Sequence, residues 1–269
     1  MTGLRVGAVF KPQATTIELL RETWVEADTM GVDSLWVTDH FFPLFVDAVG
    51  IDGHPALVLG DKDAEIFEGW TLLSAMAADT KMAMVGVMVT CNSYRNPDLL
   101  AHMAMTLNHL SGGRLYLGVG SGWFERDYKE YGYEFGTAGS RLRQLEADIP
   151  RIKKRLENLN PPIVGKLPLL IGGEGEKVTL RLVAQYADAW NAVTPPENYK
   201  RLVEVLNQWC KKVDRDPAEI ERTVCIGAGE VGLVDRYVDA GADHVMVFLN
   251  SPFGLDPLGS LISYRDSLR

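Results

Sequence analysis

The sequence predicts an α/β chain folded as a single (β/α)8 barrel of the TIM type, one domain over residues 1–269. Apolar runs of strand length alternate with segments of helical periodicity from end to end of the chain. The alternation continues evenly to the C-terminus, and the glycine-rich turns follow later strands rather than the first. An open doubly wound sheet would place such a turn straight after its first strand, where this chain has Lys11-Pro12-Gln13.

The elements follow in order. A strand over 4–10 leads to a helix over 16–30, and a strand over 34–38 to a helix over 65–78. The long connection between them, 42–63, carries Gly, Asp, His and Pro and exceeds a plain βα turn, so it is expected to be a lid or specificity loop. A third strand, 82–90, precedes a helix over 97–110. Pro97 stands at the first helical position, where its missing N–H costs nothing. Leu99, Met103, Leu107 and Leu110 recur at helical spacing, and Gly112-Gly113 stops the helix. A strand over 114–119 then runs into Gly120-Ser121-Gly122, at the end where parallel α/β folds bind ligands. The remaining helices are predicted at 140–156, 176–186, 196–213, 231–240 and 258–268, and the remaining strands at 167–172, 189–193, 223–227 and 244–249.

Bulk properties narrow the function. Hydrophobic residues make up 46% of the chain, enough for a sizeable core. The formal net charge of −9 argues against nonspecific nucleic-acid binding. The three cysteines, Cys91, Cys210 and Cys225, lack metal-ligand spacing and fit a reducing compartment. The N-terminus has no signal-peptide pattern and no run of about 18 apolar residues occurs, so a cytoplasmic protein without a membrane span is expected.

Several groupings carry possible chemistry. Asp39 and His40 stand where the second strand ends, facing the functional end of a barrel. His exchanges protons near neutral pH; the plainer alternative is that Asp39 caps a short helix and His40 packs against Phe41. Gly120-Ser121-Gly122 offers closely approached backbone N–H groups and a hydroxyl for a phosphate or polyol chain. Gly172-Gly173-Glu174-Gly175 follows the fifth strand and opens a helix with Lys177 and Arg181, which suits an anion. Arg126, Lys129, Arg141 and Arg143 are candidates for a basic rim. His102 and His109, seven apart, lack the i, i+4 spacing of a zinc pair and read as structural. No Ser-His-Asp order, nucleophile elbow or metal cluster is present.

Tyr94-Arg95-Asn96-Pro97, Ser111-Gly112-Gly113-Arg114 and Gly120-Ser121-Gly122-Trp123-Phe124-Glu125 resemble the luciferase-like monooxygenase superfamily, and most closely its coenzyme F-420 (deazaflavin) branch. The segments at 34–41 and 171–177 fit the same branch, and the resemblance covers about 4–191 in order. It implies an oxidoreductase that moves a hydride between coenzyme F-420 and an organic substrate. Asp39 would contact the cofactor ring and His40 would act as acid or base. A nonprolyl cis peptide is implied at Met88–Val89, behind the ring, with Thr90 and Asn92 at the ring's polar edge. Ser121, Gly122 and Trp123, with Gly172, Gly173, Glu174, Gly175 and Lys177, would hold the rest of the cofactor. The sugar-phosphate dehydrogenase branch has an acidic residue where this chain has Trp123 and a Trp where it has Leu44. A pocket of Trp123, Phe41, Phe42 and Leu44 therefore suits a larger, more apolar substrate. The 158–166 segment looks short for the family and implies a more open mouth. The alternatives are an FMN-dependent monooxygenase using oxygen, and a nonenzymatic barrel that binds flavin or deazaflavin. A homodimer is compatible with the family.

Overall fold

The computed structural model describes residues 3–44 and 61–269. Its strands are β1 (Arg5–Phe10), β2 (Ser34–Val37), β3 (Met84–Val87), β4 (Thr90–Cys91), β5 (Leu115–Gly120), β6 (Leu169–Gly172), β7 (Ala189–Ala192), β8 (Glu221–Ile226) and β9 (His244–Leu249). All pair in parallel, in the order β3-β2-β1-β9-β8-β7-β6-β5-β4, and β3 also pairs with β5 to close the barrel. The predicted third strand is two pieces, β3 and β4, because the Met88–Val89 peptide between them is cis. The barrel therefore has eight staves, as the sequence predicts.

Helices α1 (Ile17–Thr29), α2 (Gly69–Asp79), α3 (Pro97–Leu110), α4 (Glu125–Tyr131), α5 (Ala138–Glu157), α6 (Thr179–Tyr186), α7 (Pro196–Lys212), α8 (Val234–Asp239) and α9 (Asp256–Ser267) surround it. α3 starts as the sequence indicates: the Asn96 side chain accepts from Asp98 and Leu99 N–H, and Pro97 follows. Of its expected apolar stripe only Leu107 is fully buried. Leu99 and Leu110 are 54% and 56% exposed and Met103 is half-buried, whereas Leu100, Ala101, Ala104, Met105 and Leu107 are buried. Two apolar stripes overlap on this helix, and the one containing alanines seats closer to its neighbours. The α4 helix was not predicted. The lid segment, 42–63, falls mostly outside the described residues.

Side chains alternate along each strand. On β1, Val6, Ala8 and Phe10 face the helices, with Leu20 and Trp24 in the same packed layer, while Val9 joins the barrel interior. That interior stacks Trp36, Tyr116, Leu170, Met246 and Phe248. Gly86 is required beneath Trp36, since a Cβ there would lie 2.4 Å from the indole. At the closed end of the barrel a polar layer is fully engaged. Tyr116 Oη donates to Glu221 at 2.6 Å, Arg5 reaches Glu221 at 2.9 Å, and His244 Nδ1 lies 3.0 Å from the same carboxylate. His244 Nε2 meets Ser34 Oγ at 2.9 Å, and Trp36 Nε1 donates to that oxygen at 2.7 Å. Burial pushes the Glu221 carboxyl up, but its bonds from His244, Arg5 and Tyr116 outweigh burial and hold it at about 2. The opposite, open end holds the site.

Candidate active site

A cavity of about 370 Å3 opens at the C-terminal ends of the strands. The top inward positions of the staves form its floor: Lys11, Thr38, Met88, Gly120, Gly172 and Phe248. One wall rests on strand-end glycines. A Cβ at Gly120 or Gly172 would approach the Val89 methyls to 2.7 or 3.0 Å, so two glycines let the Val89 side chain lie over the tops of β5 and β6. At Gly122 φ is +77°, and a Cβ would strike Tyr128 Oη at 2.1 Å and Cys91 Sγ at 2.5 Å. Arg141 Nε donates to the Gly122 carbonyl at 3.1 Å and holds the turn from outside.

His40 stands at the cavity edge in a built position. Its Nδ1 lies 2.8 Å from Asp127 Oδ2. Asp127, wholly buried, also accepts from Tyr94 Oη at 2.8 Å and from the Phe41 and Phe42 N–H groups at 3.1 and 3.0 Å. Four donors converge on one carboxylate, so Nδ1 of His40 is the protonated nitrogen and Nε2 is left for the cavity. Trp123 and Phe124 pack edge-on to the imidazole, each 5.5 Å between centroids. Burial, then Cys91 and Asp127, raises the Tyr94 phenol far above its ordinary range and keeps it a donor. Burial pushes the Cys91 thiol to about 11, so it is no thiolate nucleophile.

Asp39 also borders the cavity, but its carboxylate is engaged behind the wall. Arg95 grips it at 2.7 and 2.9 Å, and Cys91 N–H donates to it at 3.0 Å. The same guanidinium reaches Glu68 at 2.6 Å, and Glu68 caps α2 through Trp70 and Thr71 N–H. Burial opposes the Arg95 charge, yet Asp39 and Glu68 together raise its pKa. This ion pair ties the ends of β2 and β4 to the start of α2.

Of the residues singled out from sequence, the cavity brings together Asp39, His40, Met88, Val89, Ser121, Gly122, Trp123, Gly172, Gly173 and Glu174. It does not include Thr90, Asn92, Gly175 or Lys177. Thr90 is buried and accepts from Trp70 Nε1 at 3.1 Å, because β4 resumes strand pairing and turns this side chain toward α2. Asn92 points away, its Nδ2 donating to Asp148 at 2.8 Å. Gly175 and Lys177 lie exposed in the loop before α6, which begins only at Thr179. The basic rim has other employment: Arg126 lies over Phe42 and bonds the Lys62 carbonyl, and Lys129 pairs with Glu125. Leu44 and Trp123 line the cavity, whereas Phe41 stacks on Tyr131 and Phe42 meets Tyr131 edge-on, and neither lines it. Residues missed from sequence are Asp127, Tyr94, Arg95 and Lys11. Asp127 is 87 positions from His40, beyond any local spacing rule.

A closed parallel barrel with its cavity at the strand C-termini defines a (β/α)8 protein of the enzyme-like kind. The chain belongs to the luciferase-like monooxygenase family, whose sequence profile matches residues 5–228. It is 31% identical over 251 residues to a phthiodiolone/phenolphthiodiolone dimycocerosates ketoreductase of Mycobacterium tuberculosis, covering 82% of this chain. The chain spans 64% of the length of that relative. Among solved structures it resembles an F-420-dependent secondary alcohol dehydrogenase in complex with an F-420–acetone adduct, with TM-score 0.79, 17% identity and 98% of both chains covered. The coenzyme F-420-dependent tetrahydromethanopterin reductase of Methanopyrus kandleri gives TM-score 0.72 at 14% identity over 97% of both chains. The oxygenating constituent of 3,6-diketocamphane monooxygenase from Pseudomonas putida, in complex with FMN, gives 0.61 at 16% identity over 83% of this chain and 66% of that one. At these identities the likeness is one of fold. No described helix is long and apolar enough to cross a membrane.

Proposed function

We propose that the protein is an oxidoreductase that moves a hydride between coenzyme F-420 and a carbonyl or alcohol carbon of a fairly apolar substrate. The observation that carries this reading is the His40–Asp127 pair at the edge of a cavity also lined by Met88, Val89 and strand-end glycines. Family membership and the ketoreductase relatives support an oxidoreductase.

The residues fit a flat, tricyclic cofactor. Val89, seated over Gly120 and Gly172, gives with Met88 an apolar face, and Ser121, Gly122 and Gly173 line the cavity beside it. Ser121, Gly173 and Glu174 would hold its polar chain. A bound deazaflavin supplies or accepts the hydride. Asp127 fixes the imidazole of His40, which gives a proton to the substrate oxygen from Nε2 or takes one there. Trp123 and Phe124 keep water from the ring and set its angle. Asp39 acts through Arg95 and the Cys91 amide to shape the wall.

Parallel titrations with coenzyme F-420 and FMN, read by absorbance and fluorescence quenching, test the cofactor. Micromolar F-420 binding with weak FMN binding is expected; a preference for FMN moves the reading to an oxygen-using monooxygenase, and binding of neither overturns it. With F-420 bound, a screen of ketones and secondary alcohols is expected to show turnover that His40→Ala lowers by about a hundredfold or more.

A further inference from the structure

Lys11 is the inward position that follows Val9 on the first stave, so strand alternation turns its side chain into the mouth of the barrel. It is 1% exposed, and its ammonium stands 5.0 Å from the centroid of the Phe248 ring. Among the described residues it is the one Lys or Arg lining the cavity. The mouth has two halves. The staves β3–β4, β5 and β6 contribute Met88, Val89 and glycine backbone. The consecutive staves β9, β1 and β2 contribute Phe248, Lys11 and His40. Phe10 is level with Val37 and with Leu249, which puts Lys11 one step above both neighbours, beside the strand end that carries His40.

We propose that Lys11 is a second catalytic group: its ammonium binds the carbonyl oxygen of the substrate and carries the negative charge that this oxygen gains on hydride transfer. The inference rests on the hydride-transfer reading above and assigns the substrate class as ketones or aldehydes flanked by apolar groups. In the reducing direction the hydride forms a new C–H bond at the carbonyl carbon. The π pair of the C=O bond moves to oxygen, and that oxygen takes a proton from the imidazolium form of His40 at Nε2. Two electrons leave the reduced deazaflavin and the carbonyl becomes an alcohol. Burial lowers the Lys11 amine to about 8, still above neutral pH, and solvent screens the remaining charge little there.

The test uses the chain without added cofactor and 4-nitrophenol as probe, an apolar ring whose phenolate is a stable, yellow oxyanion. Wild type, Lys11→Met, Lys11→Gln and Lys11→Arg are titrated, with thermal melts to show that each variant is folded. The wild type is expected to prefer phenolate over phenol by roughly tenfold to a hundredfold, the range for a charge-assisted hydrogen bond. Lys11→Met and Lys11→Gln should lose that preference while still binding the neutral phenol, and Lys11→Arg should restore most of it. A wild type without phenolate preference, or folded neutral variants that keep it, overturns the inference. The outcome is separable from the function itself. Phenolate capture through Lys11 without F-420 binding sinks the hydride reading and leaves the oxyanion site standing. F-420 binding with no phenolate preference does the reverse.

Discussion

Replacing Asp127 with Asn probes the geometry on which the proposed chemistry depends. The side chain keeps its shape, and its four bonds divide cleanly between the two oxygens. Oδ1 accepts the Phe41 and Phe42 N–H groups, while Oδ2 faces His40 Nδ1 and Tyr94 Oη. Asparagine retains the first pair through its carbonyl but presents an NH2 group where His40 and Tyr94 both donate. To recover a bond, His40 must move its proton from Nδ1 to Nε2, which removes the acceptor nitrogen from the cavity. Each charge-assisted bond contributes about 1.5–3 kcal/mol, so losing two in a wholly buried position should cost about 2–4 kcal/mol after partial relaxation. That is a large share of a typical total of about 5–15 kcal/mol. Turnover of an alcohol substrate should fall about a thousandfold through the wrong tautomer, with F-420 affinity little changed. Nitrogen-15 NMR of labelled histidines, with the His40 signals assigned by His40→Gln, reads the tautomer directly and independently of activity. A folded Asp127→Asn protein whose His40 keeps its proton on Nδ1 would refute the reasoning.

Three further substitutions test the walls and the closed end. Gly122→Ala forces a methyl group into Tyr128 Oη and Cys91 Sγ at positive φ, and should cost about 2–4 kcal/mol in denaturant unfolding and weaken cofactor binding; an unchanged midpoint would contradict the crowding. Arg95→Met strands the buried Asp39 carboxylate and should destabilise by about 3–5 kcal/mol, whereas the double variant Arg95→Met, Asp39→Asn should recover part of the loss. Glu221 has a folded-state pKa held down from 4.5 to about 2, so its stabilisation is present above pH 4.5 and lost as pH falls to about 2. At 1.36 kcal/mol per unit this amounts to about 3 kcal/mol; Glu221→Gln should flatten the acid limb of the stability curve, and an unaltered limb would place the acid sensitivity elsewhere.

The staves were legible because a barrel strand is short, apolar on both faces and flanked by turn residues. β9 runs over the residues expected, and α3 begins and ends as its Pro97 and Gly112 signals require. What sequence did not reveal falls into two kinds. Local ambiguity hid the phase of α3, where two overlapping stripes are both apolar. It also hid α4, whose seven residues ERDYKEY carry no apolar stripe and whose stop signal, Gly132 at φ +71°, is one glycine among many. The second kind is long-range pairing. His40 was visible as a titratable group at a strand end, but its orienter Asp127 sits on the unpredicted helix. Asp39 was visible for the same reason, and its engagement by Arg95 follows the single 3-10 turn at Asn92–Tyr94 that leads from β4 to Arg95. The family resemblance drew Thr90 and Asn92 toward the cavity; in the structure Thr90 bonds Trp70 from β4, and Asn92, in the turn that follows, bonds Asp148.

The layering of the barrel explains why the site needs so few dedicated elements. Alternate staves present inward residues at the same height, so the top layers are rings of positions that the fold must fill in any case. In this chain the closed end fills its layer with Arg5, Tyr116, Glu221 and His244, which bond one another. The open end divides its layer instead. Glycines at the tops of β5 and β6 give up side-chain volume to Val89, which with Met88 forms an apolar wall on which a flat ring could lie. Lys11, Phe248 and His40 place charge, an aromatic face and a proton carrier on the opposite arc. In the proposed reaction, a ring on one arc and a reacting oxygen on the other would bring hydride and proton to the same carbon–oxygen bond from two sides. Under this arrangement, changes on the glycine arc should alter cofactor affinity first, and changes at Lys11 or His40 should alter substrate turnover first.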